Sequence, residues 1–294
     1  MKRFAFSHFS MFTWCFTLLL MLSTAAMAQG FGMFGMGMGQ QQQKSDKTAR
    51  EFTLNITPDG SAQMVCFLPK EPNGKAVVGI PGGGYSVLSN SHEGTLASGW
   101  MNEHGIAYFV VNYRMPKGDR TIPIGDVEKG FTIVRDSATA WGINPQMVGI
   151  MGFSAGGHLA SVISTKSDPS IRPKFSILFY PVISMDETVS HQNSCENFLG
   201  KDGLHDANLV REFSTNLQVK PRETPPAFLV LSSDDNLVPP VTNAVAYYTA
   251  MKQAGNECAL FIYPNGGHGY GFGQWFAYRN EMLSTLEKWL NNRR

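Results

Sequence analysis

A serine, a carboxylate and a histidine stand in this 294-residue chain in one of the orders in which such residues can act together on an acyl group. Ser154 lies in Gly152-Phe153-Ser154-Ala155-Gly156, after the apolar segment Met147–Met151 and before a small, proline-free run from Ala155 to Thr165. That pattern predicts strand, tight turn and helix, the setting in which a serine hydroxyl is raised on a sharp turn at a strand's carboxyl end. Glycines two before and two after the serine answer the same geometry, because the turn leaves no room for a Cβ. A phosphate-binding turn would use similar glycines. Here no Gly-Lys-Ser/Thr follows, and the Gly-x-Gly-x-x-Gly at Gly30 to Gly35 has no strand before it.

A serine hydroxyl is a weak nucleophile until a base takes its proton, so a histidine and a carboxylate are expected beyond later strands. The run Ala227–Leu231 is followed by Ser232-Ser233-Asp234-Asp235-Asn236, and the run ending at Tyr263 by Pro264-Asn265-Gly266-Gly267-His268-Gly269. His268 is the expected base. His158 sits one turn along the elbow helix, where packing is the simpler role, and His92, His104, His191 and His205 precede the last strand. Asp234 is the expected acid as the first carboxylate after its strand, with Asp235 its competitor. The developing oxyanion also needs two N–H donors. Ala155 supplies one, and Gly83 or Gly84 of the run Pro81-Gly82-Gly83-Gly84-Tyr85 the other, with Tyr85 an alternative. Tyr85 and Phe153 are expected to line the substrate site.

These groups must be carried by alternating strands and helices. Glu51–Ile56 and Ala62–Leu68 read as an edge pair joined at Pro58-Asp59-Gly60, followed by strands at Lys75–Ile80 and Ala107–Tyr113. A helix is expected over Asp126–Trp141. Phe175–Tyr180 and Ala227–Leu231 are continuous apolar runs, as parallel strands covered on both faces should be. A helix over Val241–Ala254, a strand over Glu257–Tyr263 and an amphipathic helix over Trp275–Asn291 complete the series. The expected fold class is therefore α/β, a mostly parallel central sheet with helices on both faces. Residues 183–225 break the period and read as a lid-like insertion with a short helix near Ala207–Phe213.

The first residues stand apart from this domain. Met1-Lys2-Arg3, the apolar run Phe9–Leu22 and Ala26-Met27-Ala28 have the marks of a signal peptide cut before Gln29, placing the mature chain outside the cytoplasm, in the periplasm or secreted. The run is short for a retained membrane anchor. Residues 29–48, rich in Gly, Met and Gln, are a low-complexity leader, and 49–294 the catalytic domain. Without Lys2 and Arg3, 24 basic side chains become 22 against 23 acidic, a formal charge of −1 that recruits neither nucleic acid nor anionic lipid. Cys66, Cys195 and Cys258 are too few for a disulfide scaffold. His191 and Cys195, four apart, are two ligands where zinc needs more, so no metal and no cofactor is expected.

From about Thr53 to Trp289 the chain resembles α/β-hydrolases of the secreted bacterial acetylxylan esterase and feruloyl esterase-like group. The residues that carry the resemblance are Pro81-Gly-Gly-Gly-Tyr85, Asn144-Pro145, Gly152-Phe-Ser-Ala-Gly-Gly-His158, Phe179-Tyr-Pro-Val182, Ser233-Asp-Asp235 with Val238-Pro239, and Tyr263-Pro264 with Gly266-Gly-His-Gly269. Relatives in the wider esterase class carry His-Gly-Gly-Gly where this chain has Pro-Gly-Gly-Gly, a change that keeps the amides. The resemblance implies a serine carboxylesterase that removes acetyl or other small acyl groups from carbohydrate of the xylan type, with no cofactor and an acylated carbohydrate as its partner. A peptidase resembling the prolyl-oligopeptidase family shares the residue order but carries a large propeller, and a catalytically silent binding protein on this fold would not need an intact serine, acid and histidine.

Overall fold

The computed structural model describes residues 47–293. The signal peptide expected at 1–28, and the leader expected at 29–48 up to residue 46, lie outside the described residues.

Eight strands form one sheet: β1 Thr48–Asn55, β2 Gln63–Pro69, β3 Gly74–Ile80, β4 Ala107–Asn112, β5 Ile143–Phe153, β6 Ser176–Phe179, β7 Ala227–Ser232 and β8 Cys258–Tyr263. They lie in the order β1-β2-β4-β3-β5-β6-β7-β8. The pairings β1–β2 and β2–β4 are antiparallel, and all others are parallel. The sequence of each strand matches its place. β6 and β7 lie inside the parallel part and are buried along their whole length, as their unbroken Ser-Ile-Leu-Phe and Ala-Phe-Leu-Val-Leu-Ser sequences require. β1, at the antiparallel edge, is polar and largely exposed.

Helices α1 Ala97–Glu103, α2 Thr121–Asp136, α3 Ala155–Lys166, α4 Gln192–Leu199, α5 Lys201–Leu204, α6 Ala207–Phe213, α7 Ala246–Gln253 and α8 Arg279–Asn291 accompany the sheet. Several element boundaries differ from the sequence expectation. α2 begins five residues earlier, at Thr121, whose amide and hydroxyl are held by Asp119 Oδ1 at 3.0 and 2.6 Å. Pro123 is tolerated in its first turn because amides there need no helical acceptor. α8 begins at Arg279 rather than Trp275. The preceding segment folds inward instead, stacking Phe276 on Tyr270 with ring centroids 3.8 Å apart. The insertion over 183–225 is ordered as α4, α5 and α6, with Phe198 and Phe213 in the core. Among the described residues no helix is long and apolar enough to cross a membrane.

Because β3, β5, β6, β7 and β8 run parallel, the segments that follow them emerge on one edge of the sheet. Pro81–Gly84, Ser154, Tyr180, Asp235 and His268 are thereby brought to the same side.

Candidate active site

The nucleophile position is built by the turn from β5 into α3. Ser154 has φ 53° and ψ −121°, a conformation that costs an L-residue of order 1–3 kcal/mol and persists only where its surroundings impose it. Those surroundings are explicit. The Ser154 amide donates to Phe179 O at 3.0 Å, and its carbonyl accepts from the amides of His158 and Val182, each at 3.1 Å. A Cβ on Gly152 would collide with the Gly156 carbonyl, and one on Gly156 with the carbonyls of Ile80 and Pro81.

Ser154 Oγ lies 2.8 Å from His268 Nε2, and His268 Nδ1 lies 2.7 Å from Asp235 Oδ2. With Nδ1–H donating to the carboxylate, Nε2 is left to accept the serine hydroxyl. The Asp235 side chain is 1% exposed, and its Oδ1 accepts the amides of Leu237 and Val238, both at 2.9 Å. The carboxylate is thus held rigidly as an acceptor.

This corrects the expectation for Asp234. That residue is exposed and accepts the amides of Gly266 and Gly267 at 3.3 and 2.8 Å, shaping the loop that presents His268 without touching its ring. The chain turns back after β7, with the Asp235 amide donating to Ser232 O at 3.3 Å, so the second carboxylate points inward and the first outward. The sequence held a signal for this. An aspartate that caps the amides two and three residues ahead, in Asp235-Asn-Leu-Val238, favours a turn of this kind.

The glycine turn lies against the serine. A Cβ on Gly82 would stand 3.0 Å from Ser154 Cβ and 2.8 Å from Phe153 O. Gly83, Gly84 and Tyr85 all have positive φ, at 116°, 63° and 58°. The carbonyls of Gly82 and Gly83 accept from Ser89, Ser86 and Val87, while the amides of Gly83, Gly84 and Ala155 have no backbone acceptor among the described residues. Pro81, which stands where the wider class carries histidine, is tied by its carbonyl to the Tyr113 hydroxyl at 3.0 Å. The insertion braces the far side of the turn through Asn197 Nδ2, 2.9 Å from Gly84 O.

Two expected substrate contacts are corrected. Tyr85 is buried, with its hydroxyl 2.8 Å from His158 Nδ1 and its ring 4.8 Å from that of Phe198. Phe153 is fully buried and stacks on Phe179 at 4.7 Å. Both lie beneath the site because their neighbours on the sheet and insertion cover them, so neither presents a face to a ligand. His158 completes the support. Its Nε2–H donates to Phe213 O at 2.8 Å and its Nδ1 accepts from Tyr85, which joins insertion, elbow helix and glycine turn. Burial lowers its pKa from 6.5 to about 4, so it is neutral near pH 7.

Three further residues stand beside the site, none of them expected there from the sequence. Glu93 is 3% exposed behind the glycine turn. The Tyr180 ring lies 4.6 Å from that of His268. His191, half-buried with Nδ1 2.8 Å from Ser194 Oγ, approaches Gly84 from the insertion. No spacing rule places them at this site, since each reaches it only through packing of distant segments. Among the described residues no group of three or more His, Cys, Asp or Glu side chains is placed to hold a metal ion.

A mostly parallel sheet with a serine elbow and a histidine and carboxylate at the ends of later strands defines an α/β-hydrolase. The BD-FAE family model matches residues 64–249, and the chain belongs to that family. It is 64% identical over 246 residues to an acetylxylan esterase of Xylanibacter ruminicola, covering 84% of this chain and 51% of that protein. It is 31% identical over 205 residues to endo-1,4-beta-xylanase B of Butyrivibrio fibrisolvens, covering 65% of this chain and 31% of that one. The chain therefore spans about half the length of the first relative and less than a third of the second. Among solved structures it is similar to an acetyl ester-xyloside bifunctional hydrolase from Caldicellulosiruptor lactoaceticus, with TM-score 0.75, 31% identity, and 84% of this chain and 98% of that chain covered.

Proposed function

We propose that this chain is a secreted serine carboxylesterase that removes acetyl or other small acyl groups from xylan-like carbohydrate. The observation that carries the reading is the hydrogen-bonded series Ser154 Oγ, His268 Nε2 and Nδ1, and Asp235 Oδ2, at 2.8 and 2.7 Å. The 64% identity to an acetylxylan esterase supports the choice of acyl group and sugar. The basic, apolar and small-residue segments of residues 1–28 support export.

In the reaction, His268 Nε2 takes the Ser154 proton as Oγ attacks the acyl carbonyl. Negative charge moves to the carbonyl oxygen, where the amide of Ala155 and that of Gly83 or Gly84 are the candidate donors. Asp235 keeps the proton on Nδ1 and stabilises the imidazolium. The imidazolium returns its proton to the departing sugar oxygen, leaving an acyl group on Ser154. His268 then deprotonates a water that attacks this ester, and the imidazolium gives that proton to Ser154 Oγ as the carboxylic acid departs, which restores both groups.

The test is acetate release from acetylated xylan by purified residues 29–294, with Ser154→Ala as blank. Release by the wild type that vanishes in the variant supports the reading. Equal release by both, or turnover of a proline-containing peptide instead, overturns it.

A further inference from the structure

Glu93 has no part in the reaction as written, yet its carboxylate is buried at the junction of two of the loops that build the site. It lies in the helical turn Ser91–Thr95, which follows the glycine turn. The Gly82 amide donates to it, and a Cβ on Gly82 would collide with Oε2 and also stand 3.0 Å from Ser154 Cβ, so carboxylate and nucleophile both crowd this glycine. The Tyr180 hydroxyl donates to the same carboxylate and accepts the Gly271 amide at 2.8 Å. Gly271 is three residues beyond His268, and a Cβ on intervening Gly269 would stand 3.9 Å from Glu93 Oε1. Tyr180 itself has φ 33°, a conformation rare for a bulky residue and maintained only by its surroundings.

Gly82 and Tyr180 both present N–H or O–H to this carboxyl group, whose oxygens accept. Burial raises its pKa above the ordinary carboxylate value, and the hydrogen bond from Tyr180, the nearby imidazoles of His92 and His268 and the Gly82 amide offset this in part. The Tyr113 hydroxyl also faces it, and its own ionisation is made harder by the carboxylate.

We propose that Glu93 is a positioning residue of the hydrolase site, a single buried carboxylate that fixes the glycine turn against Ser154 and, through Tyr180, the loop carrying His268. This inference rests on the esterase reading, so its test includes a readout that needs no turnover. The titration midpoint of the His268 imidazole is followed by NMR in the free, full chain, alongside kcat and KM for a soluble acetyl ester. Glu93→Gln keeps the shape and removes the charge. It is expected to move the His268 midpoint down, as loss of a nearby opposite charge does. It should also lower kcat by roughly 10- to 100-fold with KM within about threefold, the pattern of a lost transition-state interaction. Tyr180→Phe should lower kcat in the same way, and the double variant should be no worse than the poorer single one, because the two act as a unit. An unmoved His268 midpoint in Glu93→Gln, full kcat in Tyr180→Phe, or losses that multiply in the double variant would overturn the proposal. If Glu93→Gln does not fold, Tyr180→Phe alone decides it. An inactive wild type would sink the esterase reading and leave the NMR result to judge the positioning.

Discussion

Asp235 Oδ2 lies 2.7 Å from His268 Nδ1, whereas the adjacent Asp234 receives the amides of Gly266 and Gly267 in the loop that carries that histidine. Two neighbouring carboxylates therefore serve one imidazole, the first by contact and the second through the backbone. Their removal should be unequal. Asp235→Asn is expected to reduce kcat by about 10⁴, because the imidazole loses its tautomer and its counter-charge. Asp234→Asn should stay within roughly tenfold of wild type, the lost interaction being an exposed one. Steady-state kinetics on an acetyl ester separates the two, and a larger loss in Asp234→Asn would reassign the acid.

Ser154→Ala and His268→Ala should each cost on the order of 10⁶ in kcat while leaving the fold intact, as for residues that act as one unit. Comparable loss in both, with unchanged circular dichroism, is the expected record.

Ser154 also stores strain. Its φ of 53° is accessible to glycine at little cost and expensive for alanine. Both Ser154→Gly and Ser154→Ala should be inactive. The glycine form should melt about 2–4 °C above the alanine form, equivalent to about 1 kcal/mol in a domain of this size. A lower melting point for the glycine form would show that the turn is not strained.

Gly156→Ala should destabilise the protein by about 3 kcal/mol or abolish folding, because the added Cβ would meet the carbonyls of Ile80 and Pro81, and backbone cannot swing aside as a side chain can. Denaturant titration measures this. A loss below about 1 kcal/mol would contradict the packing of the elbow against β3.

His158 makes stability depend on pH. Its folded pKa, about 4, lies below its unfolded value of 6.5, so the unfolded chain binds the proton more readily. The associated stability is complete above pH 6.5, declines as pH falls toward 4, and amounts to roughly 3 kcal/mol across that window. Unfolding midpoints at pH 7 and pH 4 should differ more in wild type than in His158→Gln. Equal differences would mean that other groups carry the acid sensitivity.

The α/β alternation, the serine elbow and the histidine loop are legible in the chain before any folding contact is known. Each is written in contiguous residues: continuous apolar runs for β6 and β7, Gly-x-Ser-x-Gly between strand and helix, and glycines around His268. Local sterics and burial fix such elements before distant contacts form. Which of two adjacent aspartates faces the imidazole was settled in the tertiary structure, since one residue's turn after Ser232 reverses inside and outside, and the capping turn after Asp235 is only a local hint of it. Tertiary structure likewise decided that Tyr85 and Phe153 are buried supports, because the insertion and the neighbouring strand that cover them lie far away in the chain. Glu93 was illegible for the same reason. Its position between Gly82 and Tyr180 arises from segments almost a hundred residues apart, brought together only when parallel strands place their carboxyl ends on one edge.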